Sequence, residues 1–97
     1  MEEIIFSEQD IVNAVCLSIA ARKKIEPAQV NVELLYDDEY GFSAEVYTNG
    51  RKQVLVEANL IEAVRQYIAQ EMDGDPYAAS LRMNYEEPEG ISISCRL

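Results

Sequence analysis

Apolar side chains recur at every second position in successive runs between Val30 and Val56, and this alternation restricts the chain to folds built on antiparallel strands. Val30, Val32, Leu34 and Tyr36 face one way, and Asn31, Glu33, Leu35 and Asp37 the other. Asp37-Asp38-Glu39-Tyr40-Gly41 reads as a turn, after which Phe42, Ala44 and Val46 point inward and Ser43, Glu45 and Tyr47 outward. Asn49-Gly50 ends that strand. The same period returns later. Leu81, Met83 and Tyr85 alternate with Arg82, Asn84 and Glu86; beyond the turn Pro88-Glu89-Gly90, Ile91, Ile93, Cys95 and Leu97 alternate with Ser92, Ser94 and Arg96.

The loop at Asn49-Gly50 sets which face of the following strand is buried. Two loop residues would place Val46 opposite Gln53 and Phe42 opposite Glu57, mixing apolar and polar side chains on one face. A three-residue loop, Thr48-Asn49-Gly50 with Gly50 left-handed as a bulge, pairs Ala44 with Val54 and Phe42 with Val56 on the core face. The bulged register is therefore expected. It turns Leu35, Tyr47 and Leu55 outward among Glu33, Ser43, Glu45, Gln53 and Arg51, a small apolar patch with a polar rim.

Two segments follow the helical period instead. Ser7 is placed to cap Asp10, with Phe6 stapled onto Ile11; Ile11, Val12, Val15, Cys16 and Ile19 then form one stripe, and Arg22, Lys23 and Lys24 offset the C-terminal dipole. A helix over about residues 8–24 follows, broken by Pro27. Asn59 through Glu62 repeats a cap-plus-acid start, with Leu60, Ile61, Val64, Ile68 and Met72 as the stripe and Gly74 as the left-handed exit. Asp75-Pro76 begins one short turn.

The expected class is α+β: a single domain over residues 1–97 in the order α-β-β-β-α-β-β, a mainly antiparallel sheet with the two helices packed on one face. The first five elements repeat the order of double-stranded-RNA-binding domains. Charge opposes that activity, because 18 acidic against 8 basic residues leave a net charge of -10, which repels phosphate backbones. No nucleic-acid partner is expected. Nor is a membrane, since no apolar run approaches the ~20 residues of a span and the acidic start Met1-Glu2-Glu3 is unlike a signal peptide. A cytoplasmic setting follows. Cys16 and Cys95, far apart and each at an apolar position, read as reduced, inert thiols.

The segments Phe6-Ser7-Glu8-Gln9-Asp10-Ile11-Val12-Asn13-Ala14-Val15-Cys16, Tyr36-Asp37-Asp38-Glu39-Tyr40-Gly41-Phe42-Ser43-Ala44-Glu45 and Asn49-Gly50-Arg51-Lys52-Gln53, with Glu57-Ala58-Asn59 beyond, resemble the YxcD-like family of short bacterial proteins. That resemblance implies a bacterial, cytoplasmic protein and brings no catalytic motif or ligand.

The absence of histidine removes the commonest neutral-pH base and the commonest nitrogen ligand for metals. Asp37, Asp38 and Glu39 form the most distinctive acidic cluster, yet consecutive residues point apart and the spaced D-x-D-x-D-G pattern is missing. A solvated turn is the expected reading. Arg51 and Lys52 place two cations at a hairpin tip. No enzyme activity, cofactor or metal is expected. The expected function is a non-catalytic protein-interaction module that self-associates as a homodimer or meets another protein, with Leu35, Tyr47, Leu55, Glu45 and Arg51 as candidate interface. The alternative is an acidic decoy that mimics nucleic acid toward a basic protein, for which the acids would have to line one stripe.

Overall fold

Ser7 caps the first helix as its sequence requires: its hydroxyl accepts from the Asp10 N–H, and the Asp10 carboxylate accepts from the Ser7 N–H at 3.0 Å. In the computed structural model, which describes residues 3–71, 75 and 80–96, this helix is α1 (Glu8–Lys23). Lys24 closes it in the left-handed conformation, with its N–H donating to the Ala20 carbonyl. Its stripe of Ile11, Ala14, Val15 and Ile19 is buried.

Ahead of α1 runs a short strand, β1 (Glu3–Phe6); behind it, a 3₁₀ turn at Pro27–Gln29 leads to β2 (Asn31–Asp37), β3 (Gly41–Thr48) and β4 (Arg51–Val56). Then come α2 (Glu57–Glu71), β5 (Ser80–Glu86) and β6 (Gly90–Arg96). The order α-β-β-β-α-β-β is present, with β1 added in front. β1 escapes the alternation rule because Ile4 and Ile5 are adjacent and the strand is only four residues long. The end of the second helical stripe at Met72, the exit at Gly74, the turn at Pro76 and the terminal Leu97 lie outside the described residues.

The six strands among the described residues form two antiparallel sheets, β2-β3-β4 and β1-β6-β5. The helices lie side by side, α1 against β1, β2 and β6, α2 against β3, β4 and β5, so each helix spans both sheets. One apolar cluster fills the space between, with Ile11, Val15, Ile19, Leu60, Val64, Val46, Leu55 and Ile93 at its centre. Phe6 of β1 meets Tyr67 of α2 edge-on, and Tyr36 of β2 stacks on Tyr85 of β5 with ring centroids 4.4 Å apart.

The third hairpin strand differs from expectation. Thr48 pairs with Arg51, Val46 with Gln53 and Ala44 with Leu55, so the β3–β4 loop is the two-residue Asn49-Gly50 turn and the expected bulge is absent. Both loop residues have positive φ, 49° and 77°, the mirror-image turn whose twist matches that of the flanking strands. Sheet side chains have period two, so this one-residue change inverts β4: Leu55 enters the core, and Val54 and Val56 face outward. Gln53 does stand opposite buried Val46, and it remains exposed there. Bulge-length loops occur at the other hairpins, where Asp37 pairs with Gly41 and Glu86 with Gly90 and both glycines have positive φ.

α2 also begins earlier than its sequence signature suggests. β4 passes into it at Glu57 without a connecting residue, and the Asn59 side chain reaches back to accept from the Val56 N–H at 2.9 Å. Asn59 thus serves inside the first turn rather than as the cap.

Candidate functional site

The outward face of β2-β3-β4 is built by the residues that alternate with the core positions. Cross-strand pairing sets out three rows: Leu35, Ser43 and Val56; Glu33, Glu45 and Val54; Asn31, Tyr47 and Lys52. Val54 and Val56 are 57% and 55% exposed, with Leu35 and Tyr47 at 36% and 39%. Of the expected interface, Leu35, Tyr47 and Glu45 are therefore present on this face. Leu55 is not, being buried at 6% exposure. Arg51 also leaves it, because it pairs with the inward-facing Thr48 at the hairpin tip. Val54 and Val56 are the residues that sequence reasoning misses. Their signal is the Asn-Gly dipeptide, the strongest short marker of a two-residue hairpin.

Polar groups on this face are tied together. The Tyr47 hydroxyl donates to Glu45 at 2.8 Å, and Lys52 donates to the other Glu45 oxygen at 3.3 Å. The Tyr47 bond first, and then Lys52, hold the Glu45 carboxyl below its ordinary range; the Tyr47 phenol is pushed up, chiefly by the same bond. The Tyr47→Phe variant should therefore raise the Glu45 titration midpoint, read by carboxyl ¹³C NMR. Because a depressed acid stabilises the fold above its unfolded pKa and loses that effect as pH falls through its lowered folded pKa, the variant's deficit should fade in acid. An unmoved Glu45 midpoint would contradict this.

The acidic turn is occupied with its own backbone. Asp37 Oδ1 accepts from the N–H groups of Glu39 and Tyr40, at 2.8 and 2.9 Å. Among the described residues no group of three or more His, Cys, Asp or Glu side chains is placed to hold a metal ion. Cys16 and Cys95 are free thiols, both pushed up chiefly by burial, and Cys16 donates weakly to the Val30 carbonyl. No described helix is long and apolar enough to cross a membrane.

The profile of a family described as a protein of unknown function (DUF2653) matches residues 1–88. The chain is 27% identical over 90 residues to the Uncharacterized protein YxcD of Bacillus subtilis (strain 168), covering 92% of this chain and 88% of the relative. No solved structure gives a significant match.

Proposed function

We propose that this chain, which belongs to the family of proteins of unknown function DUF2653, is a non-catalytic interaction module that pairs with a second copy of itself through the outer face of β2-β3-β4. The observation that carries this reading is the exposure of Val54 and Val56 beside Leu35, three aliphatic side chains that would gain by leaving water. The face also complements itself: in a two-fold pair, Lys52 of one copy can meet Glu33 of the other. Support for the non-catalytic half comes from titration directions. Among the described residues, every group with a resolved shift moves away from neutrality, cysteines and tyrosines upward and Glu45 downward, whereas acid–base catalysis wants groups moved toward it. Two unbonded thiols and a bacterial relative support a bacterial cytoplasmic setting.

Three strands about 4.8 Å apart and about six residues long offer only roughly 300 Å² per copy, so the pairing is weak. A net charge of -10 on each chain opposes it further. Association should accordingly strengthen with salt and be seen by light scattering at high micromolar concentration. Val54→Lys is expected to leave a monomer under all conditions. A wild-type monomer at both low and high salt, or a Val54→Lys dimer as tight as wild type, would overturn the proposal.

A further inference from the structure

The outer face of the other sheet has a different character. Its central strand β6 carries short side chains there, Ser92 and Ser94, while β1 and β5 on either side carry the longer Glu3, Ile5, Arg82 and Asn84. Short residues between long ones make a trough. At one end lies a recess of about 260 Å³ lined by Arg82, Arg96, Ser80, Ser94, Asn84 and Glu3. Register explains the convergence: Arg82 stands opposite Ser94 and Arg96 opposite Ser80, so the two arginines are diagonal neighbours on one face and both line the recess.

Cations are scarce in this chain, 8 against 18 acids. Arg22 and Lys23 sit in the last turn of α1, and Lys52 is paired with Glu45. Among the described residues Arg82 has no ion-pair partner, and Arg96 is held only through its Nε, at 3.4 Å from Glu3. The serine beside them is prepared as a donor. Asn84 gives one amide hydrogen to Ser94 Oγ at 2.7 Å and directs the same nitrogen to the Arg82 carbonyl at 3.3 Å. With its oxygen already accepting, the Ser94 hydroxyl keeps its proton free to donate.

We infer that this recess binds a small carboxylate, gripped by the Arg82 fork and by Arg96, with the Ser94 hydroxyl donating to it. A guanidinium matches a carboxylate through two parallel N–H bonds, and one anion between the arginines relieves their mutual repulsion. Glu3 at the rim selects for low charge. It opposes a phosphate dianion about twice as strongly as a carboxylate.

The test is an NMR titration of the whole chain with acetate and, separately, inorganic phosphate, each to about 50 mM at constant ionic strength set by sodium chloride, a range suited to millimolar affinity. Acetate should give saturable shifts at Arg82, Ser94 and Arg96, tighter than phosphate. Arg82→Gln should weaken acetate about tenfold, the loss of a charge-assisted bond. Ser94→Ala, which leaves both cations in place, should weaken it several-fold. Both residues are outside the core, and circular dichroism is the check that the variants are folded. Shifts that stay linear with acetate, phosphate binding as tight as acetate, or unchanged affinity in Arg82→Gln would each overturn the inference. The recess is on β1-β6-β5 and the proposed dimer face on β2-β3-β4, so Val54→Lys should leave acetate binding intact.

Discussion

Leu55→Lys is expected to cost more than about 4 kcal/mol and to leave much of the chain unfolded, whereas Val54→Lys, one residue away, should change stability by less than about 0.5 kcal/mol. Leu55 is packed beneath the helices at 6% exposure, so a lysine there must bury its ammonium or break the contacts of β4 with α2. Val54 is 57% exposed. Loss of packing alone, in Leu55→Ala, should cost about 2–5 kcal/mol. Urea unfolding followed by circular dichroism measures all three, with unchanged slopes showing that stability rather than compactness has moved. The pair is also a register test. In the bulged register the two positions exchange faces, and Val54→Lys would become the damaging change.

Gly90→Ala should lower stability by about 2.5–5 kcal/mol, the sum of two separable effects. Gly90 has φ +87°, where an L side chain costs roughly 1–2 kcal/mol. A Cβ there would also collide with the Glu8 carboxylate, which reaches across from the first turn of α1. That carboxylate accepts from the Ile91 N–H at 2.8 Å, tying the helix start to the β5–β6 hairpin; displacing it forfeits a charge-assisted bond of about 1.5–3 kcal/mol. A double-mutant cycle separates the two. In the Glu8→Ala background, Gly90→Ala should cost only its backbone share, so the coupling should exceed about 1 kcal/mol. Strict additivity would show that Glu8 is not what Gly90 makes room for. By contrast, Gly41, with φ +82°, has open space where an alanine Cβ would sit, so Gly41→Ala should show the backbone share alone.

The candidate surfaces are only partly legible in the sequence. Leu35, Tyr47 and Glu45 read as outward, and lie there, because β2 and β3 alternate without ambiguity. Val54-Leu55-Val56 are three apolar residues in a row, and such a run fits either register equally well. The Arg82 and Arg96 recess has a weaker signal still. Alternation puts Arg82 and Arg96 outward on their strands, yet nothing local sets β6 between β5 and β1 or brings Glu3 beside Arg96.

Local chemistry in the sequence determined the helix start at Ser7, the buried stripes of both helices, the alternating faces of β2, β3, β5 and β6, and the positive φ at Gly41. Each of these depends on residues within a few positions of one another, where caps, periods and turn propensities act. Tertiary structure decided the rest: the division into two sheets, the pairing of four-residue β1 with β6, and the face of β4. For β4 the physical reason is specific. Glu57 enters α2 directly from Val56, the helix packs against the strand it has just left, and Leu55 is the β4 side chain buried beneath it. Burial of that one side chain favours the two-residue turn, which Asn49-Gly50 already permits, over the bulge that the polar pairing of Gln53 suggests.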